Sequence, residues 1–203
     1  MKKVFVLSLM VIGIVGCSTF RHQTLTVSTG SVTAGEGNSV TFKGKALPLQ
    51  GKAIRVGDRL PQAMLTATDL SEKNISDTEG KVRIISVVPS LDTPVCEQQT
   101  HALSEKNGGL DKTVQFITVS MDLPFAQKRF SDNAKIHNML FLSDYRSAAF
   151  GKNFGLLIKP LHLLSRSVLV VDKDNVVRYI QIVPEITQLP DLKKAMEVAK
   201  GLI

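Results

Sequence analysis

The chain of 203 residues holds two cysteines, at positions 17 and 96. Cys96 closes the stretch PSLDTPVC, with Pro89 at its start, Thr93 three residues before the thiol, and Pro94 between them. A strand-like run, KVRIISVV, leads into this stretch, and EQQTHALSEK, with the composition of a helix, follows it. A cysteine so placed falls in the first turn of a helix, where free N–H groups and the macrodipole favour negative charge. A thiol there loses its proton more readily, and the thiolate is the nucleophile. Thr93 is expected to set its hydroxyl on the thiolate or on a bound substrate oxygen. Pro94 stiffens the turn, and Pro89 restrains the backbone where the strand ends. The competing reading of Cys96 is a small buried hydrophobe with no chemistry.

Other chemistries fit less well. A dithiol centre needs a second cysteine where Thr93 stands. Metal binding lacks a CxxC pair, and His22, His101, His137 and His162 are scattered singles. Acyl transfer by a Cys–His pair stays open in principle. His101 lies five residues after Cys96, roughly 140° round a helix, and points poorly towards it. His101 and His162 read as ordinary surface or half-buried residues. No cofactor is expected. Aromatics make up 5% of the chain and tryptophan is absent, which leaves no stacking platform for nucleic acid. The formal charge of +7 is mild and its lysines are spread out, so nucleic acid is not an expected partner.

The elements that must position Cys96 follow from the pattern. SVTFKGKALPLQ predicts a hairpin around Gly44-Lys45. AMLTATDL predicts a short strand, and Ser71 to Gly80 a polar turn. KVRIISVV (81–88) and VQFITVS (114–120) are nearly continuous β-branched runs, as in strands buried on both faces. A helix is expected from about Val95 to Lys106, stopped by Gly108-Gly109. DLPFAQKRF predicts a short helix with its proline near the first turn. A strand is expected at Asn138 to Leu142, and a helical patch at Tyr145 to Phe150. SVLVVD and VVRYIQIV predict a strand pair, and LPDLKKAMEVAKGLI a final helix. The order is that of an α/β sandwich with a mixed sheet. A strand running directly into a cysteine at a helix start is the arrangement of thioredoxin-like domains.

The N-terminus has its own signal. MKK is followed by twelve apolar residues, VFVLSLMVIGIV, fewer than the 20 or so that a membrane-spanning helix needs. Gly16-Cys17-Ser18 comes next and resembles the lipobox of bacterial lipoproteins, in which cleavage frees a cysteine that then carries lipid. The expected organisation is a signal peptide (1–16), the lipidated Cys17 with a flexible Ser/Thr/Gly spacer (17–37), and one folded domain (38–203). Ser18, in place of aspartate, matches the sorting pattern for the outer membrane, facing the periplasm. An ordinary signal peptide or an uncleaved anchor is the alternative.

Pro89, Thr93 and Cys96 form P-x-x-x-T-x-x-C, which resembles the active-site motif of peroxiredoxins. SVVPSLDTPVCEQQT, SMDLPFAQKRF (120–130), LSDYR (142–146), Phe150-Gly151 and IVPEIT (182–187) are similar to the thiol peroxidase subfamily, and the likeness runs from about Asn38 to the C-terminus. It implies a thioredoxin-like (peroxiredoxin) fold with an added N-terminal β-hairpin, in a homodimer. It implies Cys96 as the peroxidatic cysteine, Thr93 as the residue that orients the peroxide, and Arg166 as the arginine beside the thiolate. The expected substrates are hydrogen peroxide and organic hydroperoxides. Where the family has RFC, with its resolving cysteine, this chain reads RFS, so Ser131 takes that place. The following DNAKIHN also departs from the family's turn, and IKPLHLL looks shorter than its loop. With Cys17 lipidated, no second thiol remains, and an external thiol or thioredoxin-like reductant is required. The alternative is an envelope redox sensor or binding module that keeps the fold without turnover.

Overall fold

The computed structural model describes residues 25–77 and 80–203; Cys17 and the apolar N-terminal stretch lie outside them. β1 (Ser39–Phe42) and β2 (Lys45–Gln50) pair as an antiparallel hairpin. Lys43 and Gly44 turn the chain with φ of 50° and 79°, the left-handed backbone that two-residue hairpin turns demand. This is the expected hairpin, with its turn one residue earlier. β3 (Met64–Ala67) then pairs with β4 (Glu72–Asn74). The polar turn expected from Ser71 therefore contains a three-residue strand. So short an edge strand, carrying Glu72 and Lys73, has no apolar alternation to reveal it.

Next come β5 (Arg83–Val87), α1 (Pro94–Glu105), β6 (Gln115–Ser120), α2 (Pro124–Ala134) and β7 (Leu140–Ser143). α3 (Ala149–Phe154) and two minimal strands, β8 (Leu157–Ile158) and β9 (Leu163–Leu164), lead to β10 (Ser167–Val171), β11 (Val177–Ile182) and α4 (Leu192–Lys200). The main sheet has seven strands in the order β11-β10-β5-β6-β7-β3-β4, and a smaller sheet is ordered β1-β2-β8-β9. β5, β6 and β7 are parallel because α1 and α2 return the chain to the same end; the remaining neighbours are antiparallel.

Alternating residues of the central strands face opposite layers. Ile84, Phe116, Val168 and Val170 pack with Leu103 of α1 and with Leu192, Ala195 and Ala199 of α4. Ile85, Val87, Ile117, Val119 and Leu169 pack with Phe150 and Phe154 of α3 and with Val40, Leu47 and Leu49 of the hairpin. Each such side chain removed from water contributes about 1.5–3 kcal/mol. The fold is the mixed α/β, thioredoxin-like architecture expected, with its N-terminal hairpin.

Two local readings change. The helical patch expected at 145–150 begins later, at Ala149, because Asp144 accepts hydrogen bonds from the backbone N–H groups of Phe150 (3.0 Å) and Gly151 (2.8 Å). The Ser/Thr/Gly stretch expected as spacer through residue 37 is tied to the domain from Thr26 onward. Leu189 N donates to Thr26 O (2.9 Å), Ser28 N to Leu189 O (2.8 Å), Val32 N to Ile182 O (3.0 Å) and Gly35 N to Gly155 O (2.9 Å). Gly155 has φ of 65°, and a Cβ there would meet Gly35 N at 2.5 Å, so the strap needs glycine at this crossing. Backbone groups and small residues attach the strap, which is why its composition looks unstructured.

Candidate active site

The site is built where β5 passes into α1. Val88 N donates to Val119 O (3.0 Å), prolonging the parallel ladder by one residue. Pro89 is buried and has no N–H to continue it. Thr93 is the residue before the helix, with extended backbone, and Pro94 occupies the first helical position, where its missing N–H is no loss. Cys96 is thus in the first turn, as expected, and its relative exposure is 0%. It lies among Val88, Leu91, Ile136 and Phe141, with Phe130 and Ala134 of α2 packed alongside. Thr93 itself is exposed and its hydroxyl donates to Ser90 O at 2.9 Å. Its oxygen is left to act as an acceptor; it makes no bond to the sulfur.

Arg166 comes from the other side, one residue before β10, and is 2% exposed. Its Nη2 donates to Cys96 Sγ at 3.3 Å, its Nη1 to Gln99 Oε1 at 2.7 Å, and its Nε to Ile186 O at 2.8 Å. These three bonds fix the guanidinium plane. None of these three acceptors is a carboxylate. Gln99 stands three residues after Cys96, on the same helical face. Its Nε2 donates to Ser86 Oγ of β5 at 2.8 Å, which orients the amide so that its oxygen meets the arginine.

A second network holds the turn before Cys96. Asp122 follows β6, and its carboxylate accepts from Leu91 N (2.7 Å), Ser90 Oγ (2.7 Å) and Ser120 Oγ (2.8 Å). Gln127 of α2 donates to the same Ser120 hydroxyl at 3.0 Å and to Leu142 O at 2.9 Å. The turn is therefore attached to both β6 and α2. Between α1 and α2 lies a groove of about 570 Å³, whose lining includes Thr93, Pro94, Asp122, Arg129 and Phe130. Cys96 is not part of that lining, so the sulfur sits behind the turn.

The structure brings together Cys96, Arg166, Thr93 and Pro89 at one strand end. Ser131 lies on α2, half-buried, with its hydroxyl donating to Lys128 O at 2.9 Å. His101 pairs with Glu105 (2.6 Å) and lies edge-on to Phe130, as suits a half-buried helix residue rather than a partner of Cys96. His162 is exposed. Sequence reasoning missed Gln99, Ser86 and Asp122. The three-residue spacing from Cys96 was a usable signal for Gln99. Asp122 had only its place in SMDLPFAQKRF.

A redoxin family profile matches residues 55–197. The thiol peroxidase of Streptococcus pneumoniae is 46% identical over 163 residues, 80% of this chain and 99% of the relative. That of Halalkalibacterium halodurans is 46% identical over 165 residues, 81% of this chain and 99% of the relative. Among solved structures, a peroxiredoxin-like protein from Aquifex aeolicus superposes with a TM-score of 0.77 at 41% identity, covering 83% of this chain and 99% of its own. The thiol peroxidase from Chromobacterium violaceum shares the fold, with a TM-score of 0.73 at 23% identity over 82% of this chain and 97% of its own. The chain belongs to the redoxins and, within them, to the thiol peroxidase family of peroxiredoxins.

Proposed function

We propose that this protein reduces hydrogen peroxide and organic hydroperoxides at Cys96 and is restored by an external thiol. The contact that carries this reading is the one between Arg166 Nη2 and Cys96 Sγ, at 3.3 Å, with the arginine held on both other sides. Cys96, as thiolate, attacks the hydroxyl oxygen of ROOH. The O–O bond breaks, the leaving oxygen takes a proton and departs as ROH or water, and Cys96 becomes sulfenic acid. Thr93 Oγ1, already donating to Ser90 O, accepts the peroxide O–H and aims its oxygen at the sulfur. Arg166 donates to the oxygens as charge shifts onto them, the preorganised stabilisation that lowers such barriers. Pro89 keeps the strand end rigid. Ser131 cannot form a disulfide, so an external thiol attacks the sulfenic sulfur, water leaves, and a second thiol releases Cys96.

Mass spectrometry of the full-length protein after one equivalent of hydrogen peroxide should show one added oxygen on Cys96. A thiol unchanged after minutes at micromolar peroxide refutes the activity. A second reading, an envelope redox sensor or binding module, draws support from the zero exposure of Cys96, which denies a reductant direct access. Oxidation without recycling by small thiols or thioredoxin-like donors would select it.

The envelope setting is part of the proposal: Cys17 lipidated, the domain at the outer membrane facing the periplasm, and two copies in a homodimer. The lipobox-like Ile14-Val15-Gly16-Cys17 supports the anchor, and the dimer is what the resemblance in motifs implies. The Cys17→Ser variant should leave the membrane fraction, while unchanged membrane association would count against the anchor. Sedimentation of the purified protein reads the dimer.

A further inference from the structure

We propose that Glu185 is a positioning residue, through which the N-terminal hairpin fixes the Ile186 carbonyl and so holds Arg166 against Cys96. The reaction described above gives the hairpin no task, and its turn lies at the far end of this chain of contacts. Glu185 accepts at both carboxylate oxygens. Oε1 takes Lys43 N (3.1 Å), Thr187 N (3.2 Å) and Thr187 Oγ1 (2.9 Å); Oε2 takes Gly44 N (3.1 Å) and Thr41 Oγ1 (2.9 Å). Lys43 and Gly44 are the two turn residues of the hairpin, and their N–H groups point out of the tight turn into the carboxylate. A carboxylate has acceptor sites enough for this set; an amide in its place turns donors towards donors.

The backbone of the same loop is pinned as well. Thr41 N donates to Pro184 O (2.6 Å) and Ile186 N to Thr41 O (2.9 Å), so β1 and residues 184–186 form a short parallel ladder about Glu185. The next carbonyl, that of Ile186, accepts from Arg166 Nε at 2.8 Å. Val183 N donates to Arg166 O at 2.9 Å, so the arginine's backbone leans on the same loop. Hairpin turn, Glu185, Ile186 carbonyl, guanidinium and sulfur thus form one continuous line. A loop free to move by a fraction of an ångström would swing Nη2 away from Sγ, because Nε is the guanidinium's inner point of attachment. Catalytic groups need such support to keep their geometry.

This inference rests on Arg166 acting in the peroxide reaction, and a double-mutant cycle separates the two. The readout is the second-order rate of Cys96 oxidation by hydrogen peroxide in full-length protein, followed by quenched-flow mass spectrometry, with the unfolding midpoint of each variant measured alongside. Glu185→Ala should lower the rate about tenfold and Thr41→Val about threefold, within the range of coupling between groups in contact. In an Arg166→Ala background neither substitution should lower it further. Wild-type rates in the folded single variants, or losses that multiply in the double variants, would overturn the inference. If Glu185→Ala does not fold, Thr41→Val alone carries the cycle with the same two outcomes. A wild-type rate in Arg166→Ala would instead overturn the role given to the arginine.

Discussion

Removing Asp122 should move the two halves of the catalytic cycle apart. Cys96 has no exposed surface, yet a reductant must bring its own sulfur into line with Sγ. The turn from Pro89 to Val95 therefore has to open before reduction. Two hydrogen bonds to Asp122, from Leu91 N and Ser90 Oγ at 2.7 Å each, hold it shut. A hydrogen bond to a charged group contributes about 1.5–3 kcal/mol, and for a half-buried carboxylate the lower end applies, giving about 3 kcal/mol for the two. At 1.4 kcal/mol per factor of ten, Asp122→Ala should raise the open population by about a hundredfold. Reduction of the sulfenic acid by dithiothreitol should accelerate by up to that factor. Hydrogen peroxide is smaller than a thiol reductant and needs only a local shift at Thr93 to meet the sulfur, so oxidation should change by no more than about threefold while the closed state remains the majority. The assay forms the sulfenic acid with one equivalent of peroxide, removes the excess, adds thiol, and counts free Cys96 by alkylation over time. Equal slowing of both half-reactions would show that Asp122 shapes the catalytic geometry instead of latching the turn, and unchanged reduction would show that the turn opens elsewhere.

Arg166→Lys keeps a charge but cannot serve Cys96, Gln99 and Ile186 at once, so oxidation should slow by about a hundredfold, and a rate within tenfold of wild type would refute the need for a fork. Burial raises the Glu185 carboxyl, but the N–H groups of Gly44 and Lys43 and the hydroxyls of Thr187 and Thr41 outweigh it and bring the group from 4.5 down to about 2. Because the folded value is the lower one, the stabilisation is complete above the unfolded value and fades as pH falls from about 4.5 towards 2. The unfolding-midpoint gap between wild type and Glu185→Gln should therefore hold steady from pH 7 to about 5 and close below it; a gap constant down to about pH 3 would contradict the linkage. With Ser131 in place, excess peroxide should carry Cys96 on to sulfinic acid. Ser131→Cys, with Cys17 replaced by serine, should give a slow and partial disulfide on non-reducing peptide mapping, since a bridge forms only when the two Cα atoms come within about 7 Å and both residues are held in helices; rapid, quantitative linkage would show that only the thiol is missing.

The sequence showed most plainly what depends on neighbours in the chain. RIISV and QFITVS announce buried strands because their apolar residues meet core on both faces of the sheet, and Pro94 marks the helix start by its own backbone. Thr93 and Cys96 were legible for the same reason: one turn holds both. The strap at 26–35, the edge strand β4 and the start of α3 were not: backbone hydrogen bonds to distant residues make the strap, β4 is too short and polar to show alternation, and the Asp144 side chain sets where α3 begins. The same division runs through the site. Arg166 was found by likeness to a family, since nothing about RSV in isolation points at a sulfur seventy residues away. Asp122 and Glu185 matter for bonds made across the fold, and ordinary polar residues at ordinary spacings give no hint of that; Gln99 alone had its place one turn after Cys96 as a signal.

The strap has one more effect. β11 is an outer strand of the seven-stranded sheet, and such a strand ordinarily offers a row of free peptide groups to any other β-segment. Here Val32 N bonds Ile182 O, and Ile182 N donates to Ser31 Oγ, at one end of the strand. At the other end Gly57 N bonds Val177 O, Val177 N bonds Asp58 O, and Leu60 N bonds Asn175 O. The margin is hemmed at both ends by the chain's own loops. A second molecule seeking to extend the sheet from this side would have to peel off one cover or the other first, so the margin resists sheet-to-sheet aggregation and a sheet continued across two copies must be sought elsewhere.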